Sequence, residues 1–223
     1  MRLAALASLA DCIAFKSVRE IVEPPRRKRL DTKYPALVAH CQCGAVELSA
    51  WGRPITVNAC YCDDCQAAAR RLAASADSGR ASRVNDGMEF MVFRRDRIAC
   101  TRGANRLQAM RLTGSSKTRR MIASCCATPM YMAFDDKRPR VSAFRAPFGA
   151  DAPPVQMRIC TRSKRSTKKV EAGVPSHPGY PLAMMIRILA AWPIMMFAGR
   201  SALYRSAIVQ CHCMRQWPNW QML

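Results

Sequence analysis

The chain lacks an apolar run long enough to cross a membrane, and it lacks a clean secretion signal. A spanning helix needs about 20 apolar residues. The most apolar segment, residues 181–197, is shorter than this and is interrupted by Arg187 and Pro193. Near the N-terminus, the short apolar run of residues 3–10 ends at Asp11, and no small-residue cleavage site follows it. We therefore expect a cytoplasmic protein with no membrane span, in which residues 181–197 form a helix docked on the domain or a dimer contact.

Acidic residues are also scarce: 15 Asp and Glu stand against 36 Lys and Arg, which gives a formal net charge of +21. A charge of this size suggests a nucleic-acid or other acidic partner. The basic residues are dispersed along the chain, however, and arginine strongly outnumbers lysine, as a GC-rich genome produces without selection for binding. Attraction of a small anionic substrate is an equally good use of the charge.

Cysteine, in contrast, is abundant, and seven of the twelve cysteines lie in three short stretches. These are Cys41 and Cys43; Cys60, Cys62 and Cys65; and Cys125 and Cys126. Thiolates at such short spacings can converge on one soft divalent ion, and zinc is the usual choice. Neighbouring cysteines rarely form unstrained disulfides with each other, so the spacing favours metal in a reducing compartment over a disulfide-linked secreted protein.

The central stretch gives the strongest indication. A tight turn at Cys62-x-x-Cys65 lets two sulfurs face one point, and Cys60 projects to the same side as Cys62 if residues 60–62 are extended. Three protein ligands with a fourth position open are typical of a catalytic zinc site rather than of a structural one.

The other cysteines give weaker indications. We interpret Cys12, Cys100 and Cys160 as isolated, inert apolar residues. The terminal Cys211-His212-Cys213 could bind metal, but no further ligand pairs with it in the sequence.

The pattern along the chain predicts three parts. Residues 1–35 form an N-terminal extension with a helix over residues 4–22, residues 36–150 form the zinc-binding domain, and residues 151–223 contain a linker, the apolar helix and a tail. Within the domain, short strands are predicted over residues 46–48, 55–60, 88–93, 98–101, 107–112 and 119–124, with turns at Arg102-Gly103 and Gly114-Ser115 and a loop over residues 77–87. This succession predicts a mainly β (α+β) domain with peripheral helices, built around the metal.

One helix is expected directly after the central cysteines. Residues 66–76 contain no Gly or Pro and are rich in Ala, Arg and Leu. Its N-terminal backbone donors would stabilise nearby thiolates. We expect Asp63 and Asp64 to cap this helix, with an acid–base role for Asp64 as the weaker alternative.

The three cysteine stretches, in this order, resemble the glutathione-dependent formaldehyde-activating enzyme family, to which centromere protein V belongs. The matching elements are Cys41-x-Cys43-Gly44-x-Val46, Cys60-x-Cys62-x-x-Cys65 and a late cysteine followed by x-Thr-Pro, over residues 38–148. The resemblance implies an Mss4-like β fold with two zinc sites. It assigns Cys60, Cys62 and Cys65 to the catalytic site, and Cys41, Cys43 and Cys126 to the structural one.

Three positions depart from the family pattern. Ala123 replaces the first cysteine of the late CxxC pair, Ala127 replaces the glycine after the late cysteine, and residues 66–72 replace a Gly-Ser-Pro-Phe-type stretch. Cys125 could take the place of the lost ligand, but neighbouring residues in a strand point to opposite faces. If the backbone is kinked near Pro129, Cys125 could turn inward; otherwise Cys126 ligates alone.

Two functional hypotheses follow. The resemblance implies a zinc-dependent carbon–sulfur lyase acting on a thiol–aldehyde adduct with a glutathione-like thiol, with Arg70 and Arg71 either binding substrate carboxylates or remaining surface charges. The sequence identifies no catalytic side chain beyond the metal ligands. The alternative is a non-enzymatic, zinc-stabilised module that binds an acidic or nucleic-acid partner.

Overall fold

The computed structural model describes residues 36–74, 87–136, 138–165 and 173–197 of the chain. Within these ranges, ten strands form two sheets: β1 Leu37–His40, β2 Glu47–Ala50, β3 Thr56–Cys60, β4 Met88–Arg94, β5 Ile98–Arg102, β6 Leu107–Met110, β7 Thr118–Ala123, β8 Thr128–Phe134, β9 Arg140–Phe144 and β10 Met157–Ile159. The two α-helices are α1 Asp63–Ala74 and α2 Leu182–Phe197. The described part is therefore mainly β, as predicted, and is consistent with an Mss4-like β domain.

The larger sheet has the order β10-β3-β4-β9-β8-β7-β6. Its pairs are antiparallel except at one edge, where β10 runs parallel to β3 with Ile159 opposite Cys60. Every residue of β3 is buried, since the strand lies between two neighbours and is covered on both faces. The smaller sheet, β1-β2-β5, is antiparallel throughout.

The buried side chains form two clusters. The first lies under the smaller sheet and includes Leu48, Met91, Phe93, Met121 and Met130. The second lies under the two helices, and its members are Cys60, Cys65, Ala68, Ala69, Leu72, Met88, Phe90, Met132, Phe144, Ile159, Cys160, Met184 and Ile188. Burying thiols and methionines in this second cluster places the central cysteines in a largely apolar environment.

Several sequence predictions are confirmed. The strands expected at residues 55–60 and 88–93 are β3 and β4. The turn after Arg102 is present, and Gly103 has φ 71° with the carbonyl of Ala45 where a Cβ would lie. A side chain at this position would therefore need a rare backbone conformation and would also clash.

Other predictions need correction. The linker expected at the start of residues 151–223 is wrong at Met157–Ile159, because this segment pairs with β3, and Arg158 forms a further bridge with Ser176. Strands β8 and β9 were not predicted. The helix expected over residues 4–22, most of the loop at 77–87 and Cys211-His212-Cys213 lie outside the described residues. The domain boundaries at residues 35 and 150 stay predictions.

The predicted apolar helix is present as α2 and packs on the second cluster. Met184, Ile188 and Ala191 are buried, whereas Leu189 and Trp192 are more than half exposed. Across the described ranges, neither α1 nor α2 has the length and apolarity that a membrane crossing requires.

We expect Ile188→Ala to lower the free energy of unfolding by about 2–4 kcal/mol, because it removes a buried side chain and leaves a cavity. Leu189→Ala, one position along but 59% exposed, should change it by less than about 0.5 kcal/mol. Denaturant unfolding of both variants measures the difference. Equal effects at the two positions would contradict the docking of α2.

Candidate metal centres

Two groups of thiols assemble in the structure. The first, called here the four-thiol group, consists of Cys41, Cys43, Cys125 and Cys126, whose sulfurs all lie within 4.8 Å of one another. The Sγ atoms of Cys41 and Cys43 are 3.6 Å apart, and that of Cys125 lies 3.2 Å from Cys43 and 3.9 Å from Cys41. Two turns more than 80 positions apart in the chain thus meet at one point.

Tight turns present these sulfurs. At the first turn, the amide of Gly44 donates to the carbonyl of Cys41 at 2.9 Å, and the amide of Val46 donates to the Cys41 sulfur at 3.1 Å. The second turn covers residues 124–127, between β7 and β8. Cys125 and Cys126 lie in this turn and not in a strand, so the rule that neighbouring strand residues point to opposite faces does not apply to them.

Thr128 links the two halves of the four-thiol group. Its Oγ1 accepts a hydrogen bond from the amide of Gln42 at 3.0 Å and lies 3.1 Å from the Cys126 sulfur. Burial raises the pKa of Cys126, but hydrogen bonds from Thr128 and from backbone amides outweigh it and bring the pKa to about 6. The Thr of the late x-Thr-Pro element thus supports the thiolate form of its cysteine.

The second group, called here the three-thiol group, consists of Cys60, Cys62 and Cys65, again with all sulfurs within 4.8 Å of one another. Cys60 ends β3, and Cys65 lies in the first turn of α1. The Cys60 and Cys62 sulfurs are 3.4 Å apart. Cys60 and Cys65 are buried, so this group is more enclosed than the four-thiol group, where Cys43 and Cys125 are exposed.

The start of α1 corrects one prediction. The helix begins at Asp63, three residues earlier than expected, and the carbonyl of Cys62 accepts the first helical hydrogen bond from Gln66 at 3.0 Å. Cys62 therefore takes the capping position that we expected the aspartates to take. Its sulfur accepts a hydrogen bond from the backbone amide of Cys65. Asp63 instead forms an exposed ion pair with Arg165 at 3.1 Å.

The electrostatics of the three-thiol group favour one thiolate strongly. Hydrogen bonds from the thiols of Cys60 and Cys65 lower the pKa of Cys62 to about 3, in spite of burial, and the charge of Arg120 lowers it further. In return, the hydrogen bond to Cys62 raises the pKa of Cys60 above its ordinary value. Without a metal ion, one negative charge is thus shared among three sulfurs.

Sequence reasoning missed Arg120, which lies beside this group on β7. Arg120 is 2% exposed, and its Nη2 donates to the carbonyl of Asp64 at 3.2 Å. Its Nε and Nη1 have no hydrogen-bond partner. A buried guanidinium is costly unless negative charge lies close to it, so the three-thiol group is the natural source of that charge. The sequence shows only that Arg120 lies inside a predicted strand. Nothing in the local sequence marks its side chain as buried.

One further expectation changes, and another stays open. Cys160 is not isolated: it is buried, and its thiol interacts with the thiol of Cys60. Arg70 and Arg71 are exposed on α1, and Arg71 donates to the carbonyl of Arg111 at 3.2 Å. A role for these two arginines in binding substrate stays a prediction.

The sulfur spacing fits a metal ion. A tetrahedral ion with metal–sulfur bonds of about 2.3 Å holds its ligands about 3.8 Å apart, close to the 3.2–3.9 Å found between neighbouring thiols. The nine cysteines of the described ranges are not joined in disulfides. Thiolates are soft ligands, which zinc accepts. Three thiolates around a divalent ion leave one excess negative charge, and the guanidinium of Arg120, which has two unsatisfied nitrogens, can balance it. Both groups can therefore hold a metal ion of the size of zinc.

A β domain with a pair of such thiol groups defines a class of cysteine-rich, metal-binding proteins. The family model described as "Glutathione-dependent formaldehyde-activating enzyme" matches residues 36–160, and the chain belongs to this family. No curated protein matches the chain. Among solved structures, a Rhodobacter sphaeroides protein is 15% identical, with a TM-score of 0.38, over 63% of this chain and 99% of that one.

The backbone at Ala127 allows a test of the turn that carries Cys125 and Cys126. Ala127 has φ 53°, a left-handed conformation that costs a non-glycine residue about 1–2 kcal/mol. We expect Ala127→Gly to stabilise the domain by about 1 kcal/mol, and to raise the melting temperature by about 2–4 °C.

The matched control is Ala109→Gly, at an exposed position of β6. Glycine there should instead destabilise the domain by about 0.5–1 kcal/mol. Thermal unfolding of both variants, each with the same metal content, provides the comparison. Destabilisation by both would show that residue 127 is not held in the left-handed conformation.

Proposed function

We propose that this chain binds zinc at both thiol groups and catalyses the reversible addition of a glutathione-like thiol to formaldehyde, which makes it a carbon–sulfur lyase in the cleaving direction. The observation that carries the proposal is the convergence of Cys60, Cys62 and Cys65 beside the buried guanidinium of Arg120, two of whose nitrogens have no hydrogen-bond partner. Three protein sulfurs leave a tetrahedral ion one position for an exogenous group, the arrangement of catalytic zinc sites.

The reaction needs few groups. In the addition direction, a carbon–sulfur bond forms, the carbonyl π bond breaks, and the thiol proton is transferred to the carbonyl oxygen. Cleavage of the adduct reverses each change. Zinc would supply Lewis acidity and favour the thiolate form of the bound sulfur. Arg120 supplies fixed positive charge beside the sulfurs, which favours negative charge on sulfur or on the oxygen that forms in the adduct.

The surroundings of the three-thiol group suit an anionic substrate. The guanidinium of Arg140 lies 4.6 Å from the centre of the Phe134 ring and is near enough to Cys60 to favour the thiolate form of that side chain. Arg162 acts on Cys160 in the same way. A glutathione-like thiol carries carboxylates, which arginine recognises well.

The four-thiol group suits a structural role. Four protein sulfurs complete a tetrahedron and leave no position for substrate. The group joins the turn after β1 to the turn before β8, so a zinc ion there would close a long loop of chain. A reducing compartment such as the cytoplasm would keep all of these thiols available for metal.

The net charge of +21 also favours a second candidate, a non-enzymatic zinc-stabilised module with an acidic or nucleic-acid partner. The two functions differ in a measurable way. A module would bind nucleic acid with an affinity that falls steeply with salt, and would leave the formaldehyde reaction unchanged.

The test is NMR exchange spectroscopy of formaldehyde with glutathione in the presence of zinc-loaded protein. We expect acceleration over the spontaneous reaction, and loss of that acceleration in Cys62→Ser, which removes the central thiolate. Cys100→Ser is the matched control, because Cys100 lies on β5 outside both groups. An exchange rate equal to that without protein, at verified zinc content, would contradict the lyase proposal.

Arg120→Met tests the role of the buried charge. Methionine keeps the length of the side chain but removes its charge, so we expect the zinc affinity of the three-thiol group to fall about tenfold, equivalent to about 1.4 kcal/mol. The neighbouring Arg119→Met, which breaks an ion pair with Asp135 instead, should leave it unchanged. Competition with a zinc indicator measures both. Unchanged affinity in a cooperatively folded Arg120→Met protein would count against the proposed charge match.

Ala123→Cys tests whether the four-thiol group is complete. Since Cys125 already lies with Cys41 and Cys43, restoring the family's CxxC spacing should give no gain in zinc affinity. Ala123 is fully buried in the first core cluster, so the larger side chain should lower stability instead. A higher zinc affinity in competition titration would show that Cys125 is not a ligand.

A further inference from the structure

A fourth thiol borders the three-thiol group. Cys160 directly follows β10, the edge strand that runs parallel to β3, and Ile159 lies opposite Cys60 in that pair. The amide of Tyr61 donates to the carbonyl of Ile159 at 3.0 Å, which fixes the two strand ends side by side. Cys60 and Cys160 therefore meet at the same corner of the sheet, although 100 positions separate them.

The backbone at Cys160 turns its side chain to this corner. In a continuing strand, Cys160 would point to the face opposite Ile159. Its φ of 56° and ψ of 35° are left-handed instead. Cys160 is 8% exposed and belongs to the same core cluster as Cys60 and Cys65, and its thiol forms a hydrogen bond with the Cys60 thiol. Non-glycine residues rarely adopt this conformation, and such strain is concentrated at functional positions.

The segment around Cys160 is held firmly. The amide of Cys160 donates to the carbonyl of Gly179 at 3.3 Å. The buried side-chain amide of Gln66, on α1, donates to the carbonyls of Tyr61 and Ser163 at 2.6 and 2.7 Å. Gln66 thus ties the segment after Cys160 to the helix that presents Cys65. The hydroxyl of Tyr180 donates to the Cys160 thiol and lies near Cys60.

We propose that Cys160 is an exchangeable fourth sulfur ligand of the metal ion held by Cys60, Cys62 and Cys65, and that an incoming thiol enters the site by taking its place. Cys160 contacts Cys60 but is not among the three thiols that lie within 4.8 Å of one another. It thus adjoins the group without belonging to it, as a ligand that binds and leaves would require.

The exchange is balanced in atoms and charge. The incoming thiol would give its proton to the Cys160 sulfur, which would leave the metal as the incoming sulfur binds, so four sulfurs would hold the metal before and after the exchange. The Tyr180 hydroxyl then remains beside the Cys160 thiol that leaves the metal. The identity of the incoming thiol as glutathione-like rests on the proposed function, whereas the ligand role of Cys160 does not.

The test uses the full chain loaded with ¹¹³Cd, whose NMR shift moves upfield when an oxygen ligand replaces sulfur. We expect two resonances in the unmodified protein. In Cys160→Ser one of them should move upfield while the other stays, and Cys100→Ser should change neither. Added reduced glutathione should return the shifted resonance of Cys160→Ser to its original position.

The outcomes separate the two proposals. Two unchanged resonances in Cys160→Ser would overturn the ligand role of Cys160 and leave the proposed function standing. A single resonance in the unmodified protein would overturn the metal site at the three-thiol group, and both proposals with it. A shift that glutathione does not reverse would overturn the exchange with the incoming thiol.

Cys160→Gly provides a second measurement that does not depend on serine being tolerated. Glycine accepts the left-handed conformation without strain, which offsets part of the loss of the buried thiol, so the metal-free variant should still unfold cooperatively. Its cadmium affinity at the three-thiol group should nevertheless fall about tenfold or more. A folded Cys160→Gly protein with unchanged cadmium affinity would show that Cys160 is purely structural, and would overturn the proposal.

Discussion

Sulfur atoms packed at 3.2–3.9 Å cannot all carry negative charge unless a cation lies among them. This constraint governs both ends of the domain. At the four-thiol group, four thiolates around a divalent ion would keep an excess of negative charge, and two of the cysteines are exposed to water, which can screen it. At the buried three-thiol group water is largely excluded, and Arg120 supplies the compensating charge from within the sheet.

Much of the fold could be predicted from local pattern. The β3 and β4 strands are dense in β-branched and aromatic residues, and α1 lacks helix breakers, so each segment favours its own structure. Strand β10 was not predictable in this way. It has three residues in a stretch rich in Pro, Lys and Ser, and is held by a parallel partner about 100 positions away. Such pairing depends on the rest of the sheet, and the sequence around residue 157 does not encode it.

The candidate sites show the same division. Short spacings made the three-thiol group and each half of the four-thiol group predictable, because residues two or three apart must stay close in space. The resemblance to the family joined the two halves. Cys160 and Arg120 were missed, because only the sheet brings them to the thiols. Cys125 was expected to point away from Cys126 in a continuing strand, whereas the chain forms a turn there. In a turn, successive side chains can converge, so a ligand displaced by two positions from its usual place can still reach the same centre.

Within the described ranges, Ala127 and Cys160 are the non-glycine residues with positive φ, and each adjoins one of the two thiol groups. The left-handed non-glycine residues of the described ranges thus lie beside the two thiol groups. Backbone of this kind persists only while its surroundings hold it in place. Metal ions bound at the two groups would add to that support, so in the metal-free protein the backbone at these two positions would open first, as local unfolding units. Amide hydrogen exchange of the metal-free protein would then be fastest beside the cysteines, while the centre of the larger sheet stays protected.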